Sequence, residues 1–325
     1  MANTTADAEF ETIIDPYRRE LLAHCYRMLG SIHDAEDLLQ ETYLRAWNSY
    51  ERFEGRSSLR TWLYRIATNV CLTAIDQRGK RPMPSGLGGP SDPDRPVVAL
   101  DDVPWLEPAP DSVFGSDAVD PASIVTSRES TRLAFIAALQ HLPAKQRVVL
   151  ILRDVLKWKA AEVAELLETS TAAVNSALQR AKAQLEQVAP DQDALAEPSD
   201  PEQRELLERY ATLFEKADIE GLVKLFKEDA HWEMPPFPEW FVGAENIGRL
   251  ISRQCNPAPG ELVLVPTLAN GQPAFGMYRR DEDGVHRPFQ LQVLSIDDRG
   301  EIAHVGAFFD TTLFAVFGLP EVYEG

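Results

Sequence analysis

The sequence predicts a multidomain protein: two all-α modules, the second containing a helix-turn-helix, followed by a C-terminal α+β domain. Three observations carry this reading. Apolar residues recur at helical spacing over 10–82 and again over 123–189. Between them, Pro82 to Pro121 holds nine prolines and the glycines 86, 88, 89 and 115, so 83–122 reads as a linker without continuous secondary structure. From about residue 202 to 320, two helical stretches give way to strand-like runs separated by Gly, Asn and Asp turns. A chain of 325 residues suits such a division.

In the first module, "DAEDLLQETYLRAW" places Ala35, Leu38, Leu39, Thr42, Tyr43, Ala46 and Trp47 on one helical face. Asp34, Asp37, Gln40, Glu41 and Arg45 are left to solvent or a partner. A further helix runs from about Leu59, with Ser57 or Ser58 as its N-cap. It buries Leu63, Ile66, Ala67, Val70 and Ile75 while its arginines project.

The linker contains one apolar island, "VPWLEPAPD", whose Trp105 and Leu106 are costly to leave in water, so this segment is expected to dock. In the second module Pro143 breaks "RLAFIAALQHLPAKQRVVLILRDVL" into two helices. The segment after it reads as helix, short turn, helix, with Thr169, Ser170 and Thr171 supplying the turn and an N-cap. A short acidic bridge at about 190–203 leads to the tail. Helices are expected there at 204–217 and 219–228. Strands are expected in "ELVLVPTLA", "PAFGMYRR", "RPFQLQVLSID" and "EIAHVGAFFD", after an irregular "HWEMPPFPEWFVG".

Charge is distributed unevenly. The formal net charge is −19, yet Phe53 to Arg81 carries Arg56, Arg60, Arg65, Arg78, Lys80 and Arg81 against only Glu54 and Asp76. A chain this acidic cannot bind nucleic acid indiscriminately, so contact must come from local basic patches. Phe53, Trp62 and Tyr64 are interleaved with the cations, and Ser57, Ser58, Thr61, Thr68, Asn69 and Gln77 add polar contacts. Guanidinium groups grip phosphates and an aromatic pocket holds an unstacked base, whereas the bland alternative is a solvated helix face. On the second helix of the later pair, Thr171, Asn175, Gln179 and Arg180 are the candidates for base edges. Lys157, Lys159 and Lys182 would hold backbone phosphates.

Cys25, Cys71 and Cys255 form no paired or metal-ligating spacing. The start, MANTTADAEF, has neither a basic region nor an apolar stretch, and no apolar run is long enough to span a bilayer. A cytoplasmic protein with reduced thiols, and with neither cofactor nor metal, is therefore expected.

Taken together, "DAEDLLQETYLRAW", "FEGRSSLRTWLYRIATNVCLTAIDQ" and "LPAKQRVVLILRDVLKWKAAEVAELLETSTAAVNSALQRAK" resemble the two domains of extracytoplasmic-function sigma factors, the promoter-recognition subunits of bacterial RNA polymerase. The tail resembles a SnoaL-like domain, a cone-shaped α+β fold related to ketosteroid isomerases. The resemblance implies an alternative sigma factor that binds core polymerase and promoter DNA, with a tail that modulates it. On this basis Asp37, Gln40, Glu41 and Arg45 would meet the clamp of the largest polymerase subunit. Phe53, Arg56, Ser57 and Ser58 would capture a flipped base of the −10 element. Arg60, Arg65 and Asn69 would hold the adjoining strand, and Lys159, Thr171, Asn175, Gln179, Arg180 and Lys182 the −35 element. The recognition helix departs from the broader family, where a basic residue is common in place of Asn175 and an arginine in place of Ala177.

SnoaL-like relatives include enzymes that use a carboxylate or a His–Asp pair inside an apolar cone. The corresponding candidates are Asp229, His231, His304 and Asp310, walled by Trp232, Met234, Trp240, Phe241, Phe308 and Phe309. No spacing fixes a pair among them, and fold does not imply function. Regulation by the tail is the favoured reading, with a small apolar ligand in the cone as a further partner. An isomerase- or cyclase-type enzyme tethered to DNA-binding helices is the alternative, and a duplex-binding repressor or activator a third.

Overall fold

The computed structural model describes residues 10, 12–115, 130–188 and 201–324. The expected start of the second module at 123 and most of the bridge at 190–203 lie outside them. The chain forms two compact units. One joins the two helical modules; the other joins Pro82–Pro110 to the C-terminal domain.

In the first unit, α1 (Arg18–Leu29), α2 (Ile32–Tyr50) and α3 (Leu59–Arg78) pack together. Gly30 ends α1 in the left-handed region at φ 70, a conformation that glycine adopts without steric cost. Ser31 and Ser58 cap α2 and α3, accepting from the backbone N–H of Asp34 and Thr61. The apolar stripe of α2 buries Ala35, Leu39, Thr42 and Ala46. Its opposite side leaves Asp37, Gln40 and Arg45 exposed and Glu41 half-buried. Asp34 corrects the expectation of a free carboxylate: Arg78 and Arg81 both pair with it.

The second module contributes α4 (Leu133–Gln140), α5 (Ala144–Leu150), α6 (Ala160–Leu166) and α7 (Thr171–Val188). Pro143 separates α4 from α5, and a π-helical turn, Ile151–Val155, extends α5. Helix α6, the turn and α7 form the helix-turn-helix, and Ser170 accepts from the Ala173 N–H at 3.1 Å to start its second helix. Among the described residues, Arg147 is the largest fully buried side chain. Its Nη1 donates to Gln140 Oε1 at 2.7 Å and to the Met28 carbonyl at the C-terminus of α1. Its Nη2 donates to the carbonyls of Gln140 and Leu142. Four acceptors thus meet its two terminal nitrogens, as burial of a guanidinium requires, while Nε has no partner among the described residues.

In the second unit, α8 (Pro201–Glu215) and α9 (Ile219–Val223) precede a six-stranded sheet. Its strands are β1 (Phe226–Glu233), β2 (Trp240–Val242), β3 (Leu262–Ala269), β4 (Gln272–Arg280), β5 (His286–Ile296) and β6 (Ile302–Phe308), in the order β2-β1-β6-β5-β4-β3. Only β1 and β6 run parallel. Helix α10 (Ala244–Leu250), with a π-helical turn Ile251–Cys255, follows β2; α11 (Leu313–Val316) follows β6, and beyond it Tyr323 bridges to His286.

The sequence expectation differs here in two places. The second tail helix stops at Val223 rather than 228, because Phe226 and Ala230 alternate into the core as strand residues. The stretch "HWEMPPFPEWFVG" also supplies two paired segments, His231 opposite Val242 and Glu233 opposite Trp240. The core gathers Tyr210, Phe214, Phe226, Trp232, Phe241 and Phe275.

The linker stretch Pro82–Pro110 is built into this unit although it contains no strand and only one short helical turn, Pro84–Gly86. Trp105 and Leu106 are buried, as expected of the apolar island. Ala109 and Asn270 exchange two hydrogen bonds of 2.9 Å: the Ala109 N–H to Asn270 Oδ1 and the Asn270 N–H to the Ala109 carbonyl.

Candidate nucleic-acid interface

The loop between α2 and α3 turns at Gly55, which has φ 68 and open space around it. Phe53 packs against Trp62 with ring centroids 4.9 Å apart and planes tilted by 35°, and both residues are half-buried. Arg56 is exposed and pairs with Glu54 at 2.5 Å. Ser57 is half-buried, and the Ser58 hydroxyl is occupied by the cap of α3. The loop thus presents a small aromatic shelf beside a cation, with the following helix rigidly started. Such a shelf accepts a base by stacking whatever its identity.

Along α3 the basic residues have differing neighbours. Arg60 is held by Glu20 through two guanidinium nitrogens at 2.6–3.0 Å. Its guanidinium lies over the rings of Tyr64 and Trp158, 5.0 and 5.5 Å from the centroids. Burial opposes the Arg60 charge, yet the Glu20 hydrogen bond and charge, with help from Tyr64, hold its pKa above the ordinary value. Arg65 Nη2 donates to the Glu165 carbonyl at 3.2 Å, while Asn69 is exposed. Thr68 is not available to a base: it is buried and hydrogen-bonded to His24 Nε2 at 3.0 Å. Its place in the sequence among cations gave no sign of this.

Trp158 and Glu165 belong to the second module, so the basic face of α3 meets the helix-turn-helix. Tyr64 and Trp158 rings pack 5.1 Å apart. None of Glu20, Trp158, Glu165 or Arg147 was singled out by sequence reasoning. The cation–aromatic alternation "KWK" around Trp158 was a usable signal for an apolar side chain with a docking role.

On α7, Thr171, Asn175, Gln179, Arg180 and Lys182 are exposed; Thr171, Asn175, Gln179 and Lys182 share one helical face, while Arg180 lies about a quarter-turn round from Gln179. Arg180 is steadied by Ser176 Oγ at 2.7 Å, and Lys182 pairs with Asp154 at 2.8 Å. Lys157 and Lys159 are exposed before α6, where Glu162 Oε2 accepts from the Lys159 N–H. The apolar residues Val174 and Ala181 turn inward.

The tail candidates do not assemble into a catalytic pair inside the cone. Asp229 is exposed beside Lys227, Asp310 accepts from the Thr312 N–H and hydroxyl, and His231 packs on the Trp240 ring. His304 bonds instead to Glu233, a residue passed over at the sequence level, at 2.7 Å. Glu233 also accepts from the Ser85 N–H of the linker at 2.7 Å. Burial would raise its pKa, but the His304 hydrogen bond and charge, then Ser85, bring it below the ordinary value. Trp232 and Met234, not Glu233, line the cavity of this domain. Among the described residues lining that cavity there is no carboxylate, histidine or cation.

Three family models match the chain: sigma-70 region 2 over residues 13–81, sigma-70 region 4 over 132–185, and the nuclear transport factor 2 (NTF2) domain over 202–264. The chain is 58% identical over 318 residues to the ECF RNA polymerase sigma factor SigG of Mycobacterium tuberculosis, covering 96% of this chain and 84% of that one. It is 28% identical over 252 residues to SigJ of the same species, covering 75% and 71%. The crystal structure of M. tuberculosis SigJ superposes with a TM-score of 0.59 at 22% identity, over 95% of this chain and 99% of that one, which places the two in one fold. Among the described residues no helix is long and apolar enough to cross a membrane. The two helical modules, the helix-turn-helix and the NTF2-like tail all agree with these likenesses: the chain belongs to the extracytoplasmic-function RNA polymerase sigma factors and is not an enzyme but an alternative sigma factor, one that directs transcription by binding RNA polymerase and promoter DNA.

Proposed function

We propose that α2 docks on the clamp of the largest polymerase subunit through Asp37, Gln40, Glu41 and Arg45. The Phe53–Trp62 shelf, with Arg56, Ser57 and Ser58, takes a flipped base of the −10 element. Arg60, Arg65 and Asn69 hold the adjoining strand. Thr171, Asn175, Gln179 and Arg180 face the −35 element, while Lys159 and Lys182 grip its phosphates. The protein works in the cytoplasm, where the polymerase is. Its C-terminal domain tunes initiation by controlling the linker between the two DNA-binding modules.

The observation that supports this last point is the incorporation of Pro82–Pro110 into the C-terminal unit. The segment that joins region 2 to region 4 is held by the tail, through the Ala109–Asn270 pair and the hydrogen bonds of the Ser91 and Leu100 N–H groups to the Trp240 and Pro236 carbonyls. Whatever shifts the tail's hold on that segment changes how freely the modules separate. Promoter-specific run-off transcription with core polymerase, comparing full-length protein with an Asn270→Gly variant that removes the side-chain acceptor of one of the two bonds and tolerates the positive φ of 56, tests it. A changed promoter output with unchanged core binding supports the reading; identical output across salt concentrations overturns it.

A further inference from the structure

A recognition helix meets base edges with its N-terminal half. In α7 that half carries no charge: Thr171 to Gln179 reads "TAAVNSALQ", and the cations Arg180 and Lys182 come only after it. Its start is fixed by Ser170, which accepts the Ala173 N–H, and its inner side is anchored by the buried Val174 and Ala181. The outer side is low in relief. Ala172, Ser176 and Ala183 are exposed and small, so the helix can lie close to the bases. Two amides reach out from this surface, Asn175 and Gln179, exposed and one turn apart on one face. Among the described residues neither amide has a hydrogen-bond partner within the protein.

A side-chain amide offers one carbonyl acceptor beside one NH2 donor. In the major groove only adenine presents the complement side by side, the acceptor N7 next to the N6 donor. Guanine shows two acceptors, cytosine a donor alone, and thymine O4 with a methyl group. Guanine is read by a bidentate Arg or Lys, and this half of α7 has neither. The nearest cation, Arg180, lies about a quarter-turn round from Gln179 and donates to Ser176 Oγ at 2.7 Å, while Lys182 pairs with Asp154 at 2.8 Å. Four residues advance a helix by about 6 Å, slightly less than two base steps of about 3.4 Å. The exposed Ala172 methyl, on the turn before Asn175, has the character that suits a thymine methyl.

We propose that the −35 element of this sigma factor is read as A·T pairs. Asn175 and Gln179 each hold the N6/N7 edge of an adenine, the two adenines lie within two base steps of each other, and Ala172 lies against a thymine methyl. This deepens, and rests on, the reading that α7 faces the −35 element. Asn175 and Gln179 then set specificity, whereas Lys159 and Lys182 add affinity that is blind to sequence.

Holoenzyme assembled from core polymerase and the full-length protein is offered a duplex library with randomised −35 and −10 windows, and the retained sequences are read. The wild type should enrich two −35 adenines one or two steps apart. Asn175→Ala should relax one of them and Gln179→Ala the other. Each should weaken the selected site about tenfold and leave sites already mismatched at that position unchanged. Asn175→Arg should convert its adenine to guanine. Both side chains are exposed, so these variants leave the core intact. A wild-type guanine at the position relaxed by Asn175→Ala or Gln179→Ala overturns the adenine assignment but keeps α7 as the −35 reader. Equal loss on every sequence makes the two amides mere positioning contacts and overturns it as well. A −35 preference that no substitution on α7 alters, or no −35 preference at all, overturns instead the reading on which the proposal rests.

Discussion

The guanidinium of Arg60 lies 5.5 Å from the ring centre of Trp158, with the ring contributed by the helix-turn-helix module and the cation by the region 2 helix. Arg65 is engaged the same way, by Glu165. The two cations proposed to hold the promoter strand are thus partnered within the protein before DNA arrives. Cation–aromatic contacts of this kind contribute about 0.5–2 kcal/mol, and an exposed ion pair less. The binding free energy available from phosphates and polymerase is ample to displace them. Region 2 and region 4 are consequently expected to part when the protein engages its promoter.

Arg65→Ala separates the roles best, because Arg65 is one-third exposed while Arg60 also anchors Glu20. Open-complex formation should fall several-fold, and the salt dependence of promoter binding should flatten by about one unit of slope, with core binding nearly unchanged. Permanganate footprinting and filter binding across salt concentrations measure this. Unchanged melting in both Arg65→Ala and Arg60→Ala removes α3 from the promoter surface.

Asp37→Lys should weaken core polymerase binding by about tenfold while leaving the melting temperature within a degree or two. Asp37 is exposed on α2, away from the stripe of Ala35, Leu39, Thr42 and Ala46. Glu41→Lys should act similarly but also breaks the pairing with Arg45. Normal core binding by both variants would leave α2 as scaffold alone.

His24 gives the fold a pH dependence. It is fully buried, and desolvation, with the nearby Arg27 charge second, lowers its pKa to about 3. The unfolded chain takes up this proton near pH 6.5, whereas the folded one does so only near 3. Between those values the unfolded state binds more protons, so stability from this group is complete above 6.5 and is lost as pH falls, at up to about 1.4 kcal/mol per unit. Urea denaturation at pH 7.5 and 5.5 should show the loss, and His24→Gln should diminish it. An identical pH difference in the variant would assign it to other groups.

Arg147→Met should destabilise the first unit by about 3 kcal/mol. It strands Gln140 Oε1 and the carbonyls of Met28, Gln140 and Leu142 without their donor. Thermal unfolding checks the loss. A stable variant would mean that water satisfies those oxygens.

Much of the helical architecture was legible because apolar periodicity, Pro143 and the Ser caps are local signals. The faces of α2 and α7 could be read for the same reason: residues off the stripe stay exposed. What the sequence concealed depends on pairs distant in the chain. Asp34 looks solvated until Arg78 and Arg81 return to it, and Thr68 looks accessible until His24 covers it. The His304–Glu233 pair joins two strands 71 residues apart, so no spacing could announce it. Phe226 begins a strand where propensity continued a helix, since the sheet partner at Ile302 is also remote.

Removing residues 204–325 should alter transcription from a cognate promoter, and the linker supplies the reason. Trp105 and Leu106 are buried within a unit composed of Pro82–Pro110 and the C-terminal domain, and Ala109 is tied to Asn270. Truncation removes the tail partners of Ser91, Leu100 and Ala109 and frees the tether between region 2 and region 4. A freed tether lowers the effective concentration of one module beside the other, which weakens contacts such as Arg60–Trp158 and eases their separation. It also removes the ordering that sets the span between the two promoter elements, so the sign of the change depends on which of these limits initiation. Trp105→Ala discriminates further, because it removes the Trp105–Leu100 hydrogen bond within the linker while the tail remains: it should shift run-off transcription in the same direction as the truncation, by a smaller factor. Analytical ultracentrifugation alongside distinguishes a regulatory effect from self-association of the truncated chain. Wild-type output from a monomeric truncated protein, across salt and temperature, would mean that the tail's hold on the linker has no part in promoter control.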